Sequence, residues 1–192
     1  MVRFPGLIEL ADHSIRECDE CLRQEMIAEL ENFIKDFDHF ATQTWPTAPY
    51  TDSLSDPDHF VSRLFPESSL GRPYSFTTWR TTSTYCTMST VRLYSLLELQ
   101  RLQRHNFRTL NSEPMATDAF RMLQVEADIE HTIENVCRAL PAQIGAPSHS
   151  MGIICSLKTL SVLARLLEKR GRFEEAGWCR SVWQHLRDDG FR

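Results

Sequence analysis

The sequence predicts an all-α protein, a single irregular helical bundle of about five main helices with one long Pro-rich loop, spread over 192 residues. Three observations carry that expectation. Apolar residues recur at three- and four-residue spacing over most of the chain, no run alternates with the two-residue period of a half-buried strand, and five of the nine prolines fall between positions 46 and 73.

The first helix is expected over 15–40. Apolar residues at 15, 18, 22, 26, 30, 33, 37 and 40 lay one stripe along it, Glu, Asp, Gln and Lys fill the opposite face, and Asp12 or Ser14 is placed to cap it. A long loop follows over 44–73, where Pro46, Pro49, Pro57, Pro66 and Pro73 stand among Ser, Thr and Asp. Trp45, Tyr50, Phe60, Leu64 and Phe65 give that loop enough apolar surface to fasten it to the helices. The helical core is expected over 75–190. Its first helix runs from Ser75 to Phe107, with a Thr/Ser-crowded first half that packing must hold helical. The next spans Thr117 to Ala139 and ends in the segment from Pro141 to Pro147. The last two run from Ser150 to Lys169, stopped by Gly171, and from Phe173 to Arg187, with Glu174 and Glu175 in a first turn whose dipole favours acids.

One domain with a sizeable core is the expectation for a chain of 22.3 kDa. No apolar run approaches the ~20 residues of a membrane-spanning helix, so no membrane partner is expected. The start, Met1-Val-Arg-Phe-Pro-Gly-Leu-Ile-Glu-Leu, lacks a long apolar stretch with a cleavage site, which points to an intracellular address. The six cysteines, at 18, 21, 86, 137, 155 and 179, lie mostly in apolar helical patterns and read as small buried hydrophobes. Residues 1–70 carry 5 basic against 14 acidic side chains and residues 71–192 carry 16 against 12. The first stretch repels nucleic acid and the second has no continuous basic stripe, so no direct nucleic-acid binding is expected.

Several constellations invite chemistry. Cys18-Asp-Glu-Cys21 has the gap of a zinc or redox pair, but nothing nearby completes four ligands, and core packing accounts for it better. Asp128 and His131 stand one turn apart without matching carboxylates from a facing helix. The Thr/Ser band from Thr77 to Thr90 offers polar anchors for a ligand cavity, although hydrogen bonding between helices is its commoner use. No serine elbow, phosphate-cradling glycine loop, zinc-protease helix or catalytic carboxylate pair is present, so an enzyme is not expected, nor a cofactor or metal. What remains is a partner or effector surface. Arg101, Arg104 and Arg108 gather with His105 near the end of a helix, and Trp178 and Trp183 mark the last one.

The order of features resembles the C-terminal part of fungal-specific zinc binuclear-cluster transcription factors over roughly residues 20–190. The features are the acidic helix, the Pro-rich aromatic loop, Arg72-Pro-Tyr74-Ser-Phe76 opening a long helix with Trp79 and Tyr94, the stretch Ile129 to Leu140, and the closing Trp178 helix. The family's six-cysteine DNA-binding cluster has no counterpart, since Cys86 is the next cysteine after Cys18 and Cys21, so no residue inherits a zinc-ligand or DNA-contacting role. The resemblance implies an all-α regulatory region in the nucleus or shared between nucleus and cytoplasm. Such a region acts through a protein partner, such as a DNA-binding transcription factor, or through a small-molecule effector. The alternative is a helical-repeat-like interaction module, because Leu166-Leu-Glu-Lys-Arg-Gly-Arg-Phe-Glu-Glu-Ala176 resembles the junction within a tetratricopeptide-type helix pair.

Overall fold

A computed structural model describes residues 4–17, 19–45, 47–52, 60–110, 116–145 and 149–189. Among the described residues the chain is mostly helical, as the sequence predicts, with one short β ribbon. The order is α1 (Phe4–Arg16), α2 (Glu20–Thr44), β1 (Tyr50–Asp52), α3 (Phe60–Arg63), α4 (Glu67–Leu70), β2 (Tyr74–Phe76), α5 (Trp79–Leu110), α6 (Ala116–Ile144), α7 (His149–Lys169) and α8 (Phe173–Asp189). Contacts gather these elements into two compact units, Met1–Thr47 with Val91–Thr132 and Ala48–Thr90 with Ile133–Arg192.

In the first unit, the helix expected over 15–40 is two helices. Asp19, in an extended conformation, caps α2 by accepting a 2.9 Å hydrogen bond from the Leu22 N–H, so the start of α2 is set there and not by Asp12 or Ser14. Ser14 is buried and turns its hydroxyl back to the Ala11 carbonyl at 2.8 Å. The apolar stripe continues across the break, which is why periodicity alone conceals it. Leu30, Leu93, Leu96, Leu102 and Ile129 are at most 1 % exposed in this unit. Arg92 of α5 ties three helices together: it donates to both carboxylate oxygens of Asp38 on α2, at 2.7 and 3.0 Å, and to the Thr132 hydroxyl on α6 at 2.6 Å. A planar guanidinium suits that fork geometry.

In the second unit, the segment expected as a loop contains β1, α3 and α4. β1 pairs antiparallel with β2, Tyr50 opposite Phe76 and Asp52 opposite Tyr74, so Phe76 belongs to a strand and not to the following helix. Each strand is three residues long, too short to display a two-residue period. The ribbon stacks Tyr50 on Tyr74, with ring centroids 3.6 Å apart, and sets Tyr85 of α5 edge-on to both rings. Arg138 of α6 holds Tyr74 from the other side: its guanidinium lies 4.1 Å from the ring centroid and its Nε donates to the Arg72 carbonyl at 2.7 Å. The Tyr74 hydroxyl donates to Asn135 at 2.6 Å. Of the other apolar loop residues, Phe65 is buried edge-on against Trp178, Leu64 is exposed, and the Phe60 side chain lies outside the described residues.

α5 begins where the Thr78 hydroxyl accepts from the Thr81 N–H. The Thr/Ser band that follows bonds partly within its own helix, as when Thr82 donates to the Thr78 carbonyl at 3.1 Å. α6 runs through Pro141 instead of stopping before it. The ring removes the N–H that would reach the Cys137 carbonyl, but Leu140, Gln143 and Ile144 are buried around it, and that packing carries the helix one turn further. α7 ends as the sequence predicts. Gly171 takes φ +73°, its N–H donates to the Glu168 carbonyl, and the Arg172 N–H donates to the Leu167 carbonyl, which together close the helix and turn the chain into α8.

Candidate functional site

The sequence-predicted residues fall at two separate clefts, one in each unit, and in the interior. In the first unit, Ile15 of α1 and Leu97, Gln100, Arg101, Arg104 and His105 of α5 line a cleft of about 450 Å³. The spacing 97, 100, 101, 104 places these α5 side chains on one helical face. That volume lies within the range of small-molecule sites, which run ~300–1,000 Å³.

Charge in this cleft is arranged in pairs. Arg101 Nη2 reaches Asp12 of α1 at 2.6 Å, and its Nε lies 3.0 Å from both carboxylate oxygens of Glu98. Burial works against the Arg101 charge, but Glu98 and Asp12 outweigh it and lift the pKa above the usual arginine value. Arg104 lies 3.5 Å from Glu126 of α6, which also accepts from the buried Gln100. Nearby, Arg23 of α2 is 1 % exposed, donates to Asn106 at 2.8 Å and pairs with Glu20. Hydrogen bonds from Gln24 and Arg23 lower the Glu20 pKa, and the charge of His105 adds to the effect. The chemistry on offer is exchange of one anion for another: a bound carboxylate or phosphate would compete with Asp12, Glu98 and Glu126 for the two arginines. The Arg108 side chain lies outside the described residues.

In the second unit, Leu160, Ser161, Ala164, Arg165 and Glu168 of α7 face Arg180, Trp183 and Gln184 of α8 across a cleft of about 440 Å³. Trp183 is half-buried, with the Arg187 guanidinium 5.0 Å from its ring centroid. Trp178 is in the interior instead: it is 4 % exposed, its Nε1 donates to the Val61 carbonyl at 3.4 Å, and Phe65 packs edge-on against its ring. The two tryptophans stand five positions apart, which puts them on different faces of α8. The structure therefore brings Arg101 and Arg104 together, and places Trp183 beside Arg165 and Arg180, which the sequence reading did not single out. A signal for Arg165 existed, since between 149 and 169 the chain has three Lys or Arg residues and only one acid.

Cys21 is exposed, and Cys86, Cys137 and Cys179 are buried free thiols. Burial pushes the Cys86 thiol far up, which suits the packing role read from the sequence. Cys18 and the Cys155 side chain lie outside the described residues. Asp128 sits 4.0 Å from the Arg92 guanidinium, so its charge serves the α2–α5–α6 junction. Among the described residues no group of three His, Cys, Asp or Glu side chains is placed to hold a metal ion, and no helix is long and apolar enough to cross a membrane. No protein-family profile, curated protein or solved structure matches the chain.

Proposed function

We propose that the chain is a non-enzymatic, transcription-factor-like regulatory domain that lacks its own DNA-binding module. It works in the nucleus or between nucleus and cytoplasm, through a protein partner and through a small anionic effector. The observation that carries this reading is the Arg101–Asp12 bridge, which joins α1 to α5 at the edge of a cleft lined by Arg101, Arg104 and His105. An anion taken up there replaces Asp12 on Arg101 and releases α1, so occupancy is converted into a change of surface. The order of helices resembling the fungal transcription-factor region supports the cellular context, and the overall charge of −5 supports leaving DNA contact to the partner.

The test is a whole-transcript comparison in the native host with and without the gene, rescued by a copy encoding these 192 residues. A discrete gene set that changes and is restored by the wild-type copy, but not by Arg101→Ala, is the expected result. No rescued change, or exclusion of the protein from the nucleus, overturns the proposal.

A helical interaction module without a transcriptional role is the second reading, favoured by the tight α7–α8 turn at Gly171. Stacked repeats of this kind need about three pairs, and one such junction is present in the sequence. A stable cytosolic complex lost on altering α8 surface residues would select it.

A further inference from the structure

The cleft between α7 and α8 has an unbalanced charge. On its α8 side Arg180 is already paired with Glu168, and Arg187 beside Trp183 is paired with Asp188 at 2.8 Å. On its α7 side Arg165 is exposed and, among the described residues, is in no ion pair, and neither are the exposed Lys158 and Lys169. Positions 158, 165 and 169 fall on one stripe of the helix, bordering the face that supplies Ser161, Arg165 and Glu168 to the cleft. Glu168 is the only acid in α7, so a row of three cations runs along the groove with no anion of their own helix left to meet them.

The groove floor is apolar, formed by Leu160 and Ala164, which are 0 % and 5 % exposed, with the Trp183 ring as one wall. From Leu160 to Glu168 the helix rises ~12 Å, enough for a few residues of an extended chain or two helical turns. An apolar floor, an aromatic wall and an uncompensated cationic rim are complementary to one kind of occupant.

We propose that this groove docks a short acidic segment of a partner protein, with an apolar side chain of that segment set against Trp183 and Ala164 and its carboxylates on Arg165, Lys158 and Lys169. The inference names the surface and partner chemistry for the protein-contact part of the function above. It is read on the purified chain, so its failure is separate from failure of the transcript experiment.

Fluorescence anisotropy of a short fluorescein-labelled peptide carrying one phenylalanine among glutamates, titrated with the full chain, tests it. Saturable binding is expected, weakened about tenfold by Arg165→Glu and by Lys169→Glu, and falling as salt is raised. Both positions are exposed, so the variants should keep the wild-type Tm, and Trp183→Phe should weaken binding without removing it. Several results overturn the proposal: no saturable binding, equal affinity for the same peptide with lysines in place of glutamates, or indifference to Arg165→Glu and Lys169→Glu. Citrate displacing the peptide at matched concentration would reduce the groove to a small-anion site. Self-association of the chain abolished by Arg165→Glu would make the occupant a second copy.

Discussion

Glu175 is 5 % exposed near the start of α8, and two influences compete over its proton. Burial pushes its pKa up, while hydrogen bonds from its own backbone N–H, from Arg172 at 3.0 Å and from Ser69 pull it down further, so the carboxyl lies below the usual value of 4.5. A carboxylate depressed in the folded state contributes stability above the unfolded-state value, and that contribution is lost as pH falls through the folded-state value. Glu175→Gln is therefore expected to cost about 1–2 kcal/mol at neutral pH, a cost that shrinks as pH falls below the unfolded-state value, read as urea midpoints across an acid pH series. Arg101→Ala should behave differently. Its pair with Asp12 is half-exposed on both sides, so the stability loss should stay within ~1 kcal/mol, while amide exchange in α1 should rise because its link to α5 is gone. Unchanged exchange in α1 would show that the bridge does not hold that helix. Arg101 and Arg104 were legible in the sequence because they lie on one helical turn. Their acidic partners were not, since Asp12 is 89 residues away from Arg101 and only folding brings them together.

Helix ends were read well where the backbone itself required a particular residue, and poorly where packing decided. Gly171 illustrates the first case: φ +73° is disfavoured for any residue with a Cβ, and nothing lies within 4 Å of where that Cβ would go, so Gly171→Ala carries a purely backbone cost. That substitution should destabilise by ~1 kcal/mol. Gly177→Ala should act in the opposite direction, because Gly177 lies inside α8 with open space around it, and should stabilise by about 0.5–1 kcal/mol. The two variants compared by thermal melting form a signed pair, and equal shifts would remove the backbone explanation. Pro141 illustrates the second case. Its sequence signal said stop, but burial of Leu140, Gln143 and Ile144 extended α6 past it. The α1–α2 break was hidden because the apolar stripe runs on across it; the sequence points to a cap at Asp12 or Ser14, and only geometry shows that Asp19 caps α2 while Ser14 bonds back to Ala11. Asp19→Ala should cost about 1 kcal/mol. The β1–β2 ribbon left no trace in the periodicity, since its stability comes from Tyr74 held between Tyr50 and Arg138.

At the scale of the whole molecule, charge constrains function more tightly than any single site. Residues 1–70 bring nine more acids than bases, and several of the bases of residues 71–192 are engaged with carboxylates: Arg92 with Asp38, Arg101 with Asp12, Arg172 with Glu175 and Arg180 with Glu168. DNA binding draws its affinity from cations that release counterions from phosphates, and an arginine already held by a carboxylate offers less to a phosphate. The cationic stripe of Lys158, Arg165 and Lys169 on α7 spans about 16 Å from end to end by helical rise, too short for a long DNA footprint, and the acidic surplus of residues 1–70 opposes one. Purified protein is therefore expected to leave the mobility of a random-sequence DNA duplex unchanged at ~0.15 M salt, where charges are screened beyond ~8 Å. In the presence of a DNA-bound partner whose acidic segment fits the α7–α8 groove, the same protein should retard the complex further, and Arg165→Glu should remove that additional retardation while leaving the partner on DNA. A shift of naked duplex by this chain alone would show that it contacts DNA itself, and would overturn the proposal that a partner makes the DNA contact.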